Sequence, residues 1–231
     1  MERVLRVEVC VTDVDGVRVA RAAGADRVEL CVALDVGGLT PSLGLVERAV
    51  DAAGAMGVHV LLRPRPGDFV ADADEVALVL RDAELALAAG AAGIVAGSLR
   101  PDGRVALDAM RRLREVASGA ELTAHRAVDV HPEVETTIAD LIEVGVDRIL
   151  TSGGRTSAHD GADRIARAVA AAHGRLAVMA GGGIRPERIE ELVAATGIAD
   201  VHLSARVEVA ADEGFGARHR TDPAVLARIR R

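Results

Sequence analysis

Arg6-Val7-Glu8-Val9-Cys10 and Arg27-Val28-Glu29-Leu30-Cys31 are one stretch written twice, Val9 against Leu30 being the only exchange, with an amphipathic segment and a glycine between them. Successive side chains of a strand alternate between its faces, so Val7 and Val9, or Val28 and Leu30, share one face, and Arg, Glu and Cys share the other. Two such strands joined by a helix form a βαβ unit and run parallel, and parallel sheets are covered on both faces. The charged face needs a place. If the sheet closes into a barrel, the aliphatic parity packs outward on helices, and Glu8, Cys10, Glu29 and Cys31 point inward, towards the mouth.

The rest of the chain repeats this rhythm. Gly24-Ala25-Asp26-Arg27, Gly90-Ala91-Ala92-Gly93, Gly145-Val146-Asp147-Arg148 and Gly197-Ile198-Ala199-Asp200 each close an alanine-rich or amphipathic segment and open an apolar strand. Strands are expected near 4–10, 26–31, 58–63, 93–97, 120–125, 147–152, 176–181 and 200–204. Helices are expected near 13–23, 43–54, 72–89, 106–117, 132–143, 161–172, 186–195 and 222–230. Strict alternation without a long linker or composition shift reads as one α/β domain over 1–231, a (β/α)₈ TIM-like barrel, with an open doubly wound sheet as the competing arrangement. The segments after the strands are the longer ones, among them Arg63-Pro64-Arg65-Pro66-Gly67-Asp68-Phe69 and Ser152-Gly153-Gly154-Arg155-Thr156-Ser157. The working face is therefore expected at the strand C-termini.

Composition narrows the chemistry. The 231 residues contain no Lys, Asn, Gln, Tyr or Trp, so all 28 basic residues are Arg. That excludes a lysine Schiff base and the lysine of a phosphate-binding P-loop. A net charge of −7 and only two aromatic residues, Phe69 and Phe215, argue against nucleic-acid binding. No apolar run reaches the roughly 20 residues of a membrane span, and the start lacks a signal-peptide pattern, so a cytoplasmic location is expected. Cys10 and Cys31 lack Cys-x-x-Cys spacing and are expected to be thiols. On neighbouring strands they suit a soft ion such as Cu(I), or else they are two small buried hydrophobes.

Parity extended along the strands leaves His59 and Arg63, Thr123 and His125, and His202 and Ser204 inside, while strands six and seven are too uniformly apolar to decide. Cys10, Cys31, Arg63, His125 and Ser204 are expected at the mouth, with Glu8, Glu29 and His202 one tier below. Such a cluster reads as an acid/base pair with an anion clamp, or as a salt-bridge layer filling a barrel centre. Arg6 and Arg27, near the strand starts, are assigned to structure. Gly181-Gly182-Gly183 leads into a helix and suits a phosphate or carboxylate, with Ser152-Gly153-Gly154 alongside; a tight turn explains the glycines equally well. His131, His159, His173 and His219 are expected at the surface.

These residues resemble the CutC family of copper homeostasis proteins along nearly the whole chain. The stretches that carry the resemblance include Glu8-Val9-Cys10, Gly24 to Cys31, Gly37-Gly38-Leu39-Thr40-Pro41-Ser42, Arg63 to Phe69, His125-Arg126-Ala127 with Asp129, Leu150-Thr151-Ser152-Gly153, Gly181-Gly182-Gly183-Ile184, and His202 with Ser204. The resemblance implies a TIM-barrel-like fold, a cytoplasmic protein, a homodimer or larger homo-oligomer, and a role in binding or handling copper, with the metal assigned to Cys10 and Cys31. It departs from the family pattern at Ala124 and Val128, where relatives tend to carry Phe, and in a shorter segment from Ala205 to Thr221. A mouth rich in Arg, His, Glu and Gly equally suits an enzyme performing acid/base chemistry on a small anionic substrate, a phosphate, sugar acid or carboxylate. In that reading Glu8, Glu29, Arg63, His125 and Asp129 are the catalytic set, and Arg126, Thr151, Ser152, Gly153, Gly182, Gly183, His202 and Ser204 bind the substrate. The expected partner is a copper ion or a small anion, with neither nucleic acid nor membrane.

Overall fold

A computed structural model of the chain describes residues 5–212 and 216–229. Eight parallel strands close in sequence order into a barrel: β1 Arg6–Val11, β2 Arg27–Leu30, β3 Gly57–Leu61, β4 Gly93–Ala96, β5 Glu121–Ala124, β6 Arg148–Thr151, β7 Ala177–Gly181 and β8 Asp200–Leu203. Between them run α1 Val14–Ala22, α2 Leu43–Ala53, α3 Ala73–Ala88, α4 Leu107–Val116, α5 Val134–Val144, α6 Ala162–Ala172 and α7 Ile189–Thr196. Val4, Phe215 and Arg230, named in the sequence expectations, lie outside the described residues.

The first three helices start where side chains cap them. Asp13 accepts the Gly16 amide at the head of α1, and Asp72 and Glu75 form a capping box on α3. Some helices turn small residues inward, such as Val17 and Ala20 on α1 or Ala168 and Ala172 on α6, and others larger ones, such as Met110 and Leu113 on α4. The strand faces they cover are the expected ones: Val7, Val9, Val28, Leu30, Val58, Val60, Leu122, Val201 and Leu203 all belong to the large core between barrel and helices. Cys10, Cys31, Leu61 and Val95 form a separate cluster inside the barrel.

Strand register explains which inward residues meet. Glu8 stands opposite Arg27, and Cys10 stands opposite Glu29. The stagger that closes a barrel slides each copy of the repeat two residues against the other. Glu29 consequently shares the tier of Cys10, not that of Glu8 as equal tiers would have it.

Three local expectations are corrected. The eighth helix is short, α8 Pro223–Leu226, and ahead of it β9 Arg206–Asp212 pairs antiparallel with β10 Gly216–Thr221, where no strand was expected. Strands β6 and β7 do alternate: Arg148 and Met179 bond to interior ions, and Leu150 lines the mouth. His131 is buried, its Nδ1 accepting the Glu133 amide at 3.3 Å. Among the described residues no helix is long and apolar enough to cross a membrane.

Candidate functional site

The lowest tier of the barrel interior is an ion lattice. Arg27 donates from Nε to Glu8 at 2.6 Å and from Nη2 to Asp200 at 3.0 Å. Arg6 also reaches Asp200, at 3.0 Å, and Arg148 lies 3.6 Å from it while bonding Glu121 at 2.8 Å. Glu8 is wholly buried and lies 2.7 Å from His202 Nδ1. Burial opposes its ionisation, but the His202 bond and the nearby Arg27 outweigh this and hold its carboxyl at about 2. His202 is pushed up: burial works against its charge, and Glu29 and Glu8 more than offset it. Glu8 thus spends one oxygen on Arg27 and the other on His202, and it does not line the cavity, although with Glu29 and His202 it offers three ligand atoms within 4.8 Å of one another.

Above the lattice lie two sulfurs and a carboxyl. Cys10 Sγ is 3.5 Å from Cys31 Sγ and 3.8 Å from Glu29 Oε1. Both cysteines are free and buried. The hydrogen bond with Cys31, burial and the neighbouring Glu29 push the Cys10 thiol up. Burial raises Glu29 to about 7, with Glu8 adding to the shift and His202 opposing it. Its Oε2 is buried without a partner. Cys10 and Glu29 face the cavity, whereas Cys31 does not. It is fully buried, with Gly38 so close that a β-carbon there would come 3.5 Å from its sulfur.

The cavity at the strand C-termini has a volume of about 610 Å³. Arg63, His125, Gly182, Gly183, His202 and Ser204 line it, all named from sequence. Arg63 is anchored by three carbonyls: Nη1 donates to Val36 at 2.9 Å and Gly38 at 3.1 Å, and Nη2 to Gly67 at 2.9 Å. Its Nε is buried without a partner, and its guanidinium lies 5.2 Å from the Phe69 ring centroid. Phe69 in turn meets His125, ring centres 4.9 Å apart. The His125 Nδ1 accepts the Ala127 amide at 3.2 Å, which places the proton of the neutral ring on Nε2. That Nε2 has no partner. Burial, reinforced by the Arg63 charge, lowers His125 to about 4, so the ring is a neutral donor at ordinary pH.

Asp129, Thr151, Ser152 and Gly153 are brought together, but with one another. Asp129 accepts Thr151 Oγ1 at 2.5 Å, the Ser152 amide at 3.1 Å and the Gly154 amide at 3.0 Å. Arg126 pairs with Asp129 at 3.2 Å and donates to Ser152 Oγ at 2.8 Å. Of the donors that suited an anion from sequence, those of Thr151 and Ser152 are thus taken by Asp129, and the Gly153 amide by Thr151 Oγ1. Sequence reading missed Arg155, which lines the cavity from the same loop, and the lattice residues Arg148, Asp200 and Glu121. Asp200 carried a usable signal, since it has the parity of His202.

Comparison with known proteins places this geometry. The profile of the CutC family matches residues 5–207. The chain belongs to the CutC family. A family protein CutC of Sinorhizobium medicae is 42% identical over 238 residues, covering 100% of this chain and 96% of its own length. The counterpart in Agrobacterium fabrum is 43% identical over 198 residues, covering 86% of this chain and 78% of its own. Among solved structures, CutC of Streptococcus agalactiae superposes with a TM-score of 0.79 at 29% identity, covering 86% of this chain and 97% of that one. A deoxyribose phosphate aldolase from Aeropyrum pernix, at 14% identity and TM-score 0.64, shares the barrel alone.

Proposed function

We propose that this chain serves copper homeostasis by binding Cu(I) through the thiolates of Cys10 and Cys31, on the floor of the barrel mouth. The Streptococcus agalactiae CutC protein is described provisionally as a copper homeostasis protein. What carries that role to this chain is the 3.5 Å separation of its two sulfurs. Metal–thiolate bonds are about 2.3 Å long for zinc, so one ion reaches two sulfurs at this spacing. Monovalent copper is soft and prefers sulfur donors.

The surroundings support a site that is closed until loaded. Cys10, Cys31 and Glu29 offer three ligand atoms within 4.8 Å of one another. Burial and the neighbouring Glu29 keep the Cys10 thiol protonated at rest, and loading releases its proton. Thiols this close yet unbonded fit a reducing compartment, and a cytoplasmic location is proposed on that ground. X-ray absorption at the copper edge, on protein loaded anaerobically with one Cu(I) per chain, tests the ligand set. Two sulfur neighbours are expected. A shell of nitrogen and oxygen alone rejects the thiolate site.

A further inference from the structure

The copper reading uses the two sulfurs and leaves the rest of the mouth unaccounted for. Its charges do not balance. Arg126 is matched by Asp129, but Arg63 and Arg155, which also line the cavity, have no carboxylate partner among the described residues. The lining holds three arginines, Arg63, Arg126 and Arg155, against two carboxylates, Asp129 and Glu29. In a chain of net charge −7, this cavity is locally cationic.

Among the described residues, three buried polar atoms on this lining have no partner: the donors Arg63 Nε and His125 Nε2, and the carboxyl oxygen Glu29 Oε2 at the floor. Unsatisfied buried polar groups are costly, and several gathered at one cavity call for a partner. His125 is 95% buried, from its 5% exposure, and its tautomer is fixed by the Ala127 amide, so it presents N–H and no charge. Arg63 is pinned by three carbonyls and needs no reordering to meet an anion. The amides of Gly182 and Gly183, both at positive φ, donate no hydrogen bond among the described residues. Arg155 is exposed, and among the described residues its side chain makes no bond that would explain it as a loop clamp.

We propose that the mouth binds a small organic oxyanion, a phosphate monoester or a carboxylate, with its charge met by Arg63, Arg155 and the Gly182-Gly183 turn and a neutral oxygen of the same molecule accepting from His125 Nε2. These groups share the cavity with Cys10, and none of them is a sulfur of the thiol pair. Two donors with charge and one without suit a metabolite that carries a carbonyl or hydroxyl beside its anionic group.

Imidazole NMR of the full-length chain tests this. The His125 Nε2 signal, identified by its loss in His125→Gln, is followed while inorganic phosphate or malonate is added, with sodium chloride at matched ionic strength as the control. The expected result is a saturable shift with at least one anion. Phosphate alone assigns a phosphate ligand, malonate alone a carboxylate, and both the shared oxyanion chemistry. Arg155→Ala, which removes no intramolecular bond, is expected to weaken binding about tenfold, the loss of one charge-assisted contact. Arg112→Ala, on the outer face of α4, is expected to leave it unchanged. A shift that sodium chloride reproduces, no saturation with either anion up to about 10 mM, or equal affinity in Arg155→Ala overturns the proposal.

Discussion

His125 and Glu29 line one cavity and titrate in opposite directions. For His125 the folded value is about 4, below the ordinary 6.5, so between these pH values the unfolded chain binds the extra proton and stability falls as pH drops. For Glu29 the folded value is about 7, above the ordinary 4.5, so the folded chain binds the extra proton between them and stability rises as pH drops. The two contributions oppose each other between pH 4.5 and 6.5. Replacing one exposes the other. Relative to wild type, His125→Gln is expected to gain stability as pH falls from 6.5 to 4, approaching about 3 kcal/mol at about 1.4 kcal/mol per pH unit. Urea unfolding across that range measures it; a difference that does not vary with pH contradicts the neutral, buried imidazole.

At the scale of the element, the loop after β6 is built around Asp129 and one close glycine contact. Asp129→Ala strips the partners from Thr151 Oγ1 and two backbone amides. The expected cost is about 2–4 kcal/mol in denaturant unfolding, because buried donors are left unsatisfied. Gly153 has φ +67° and would carry a β-carbon 2.2 Å from the Gly161 carbonyl oxygen, whereas Gly119 has φ +86° with open space around it. Gly119→Ala therefore bears the left-handed backbone cost alone, about 1 kcal/mol, and Gly153→Ala is expected to cost at least about 3. Equal effects would mean the loop moves freely. This element also shows what a linear reading leaves out. Asp129, Thr151, Ser152 and Gly153 were legible as one functional group of residues, but that the carboxylate takes the donors of Thr151 and Ser152 itself depends on a tertiary contact between two loops.

Across the whole molecule, the ion lattice ties β1, β2, β6 and β8 together through Asp200. Asp200→Asn leaves Arg27 and Arg148 without their shared anion, and breaking a buried ion network in this way is expected to cost about 3–5 kcal/mol, read from the unfolding midpoint. A loss below about 1 kcal/mol would show the arginines finding other partners. The barrel itself was legible because its signal is repetition: the doubled Arg-Val-Glu-aliphatic-Cys stretch, and glycine before each of several strands, set eight alternations that the structure reproduces. Two features were not. The pairing of Cys10 with Glu29 depends on barrel stagger, which no single strand encodes, and the hairpin of β9 with β10 depends on a pairing between two segments, although Arg206-Val207-Glu208-Val209 alternates just as Arg6-Val7-Glu8-Val9 does. Cys10 and Cys31, in contrast, were picked from the repeat and do meet. The decisive measurement is an anaerobic Cu(I) titration against a competing chelator, wild type beside the Cys10→Ser/Cys31→Ser double variant, with fold checked by circular dichroism. One Cu(I) held per chain, lost in the folded double variant, is the expected result; equal copper affinity in the two proteins would contradict the thiolate site.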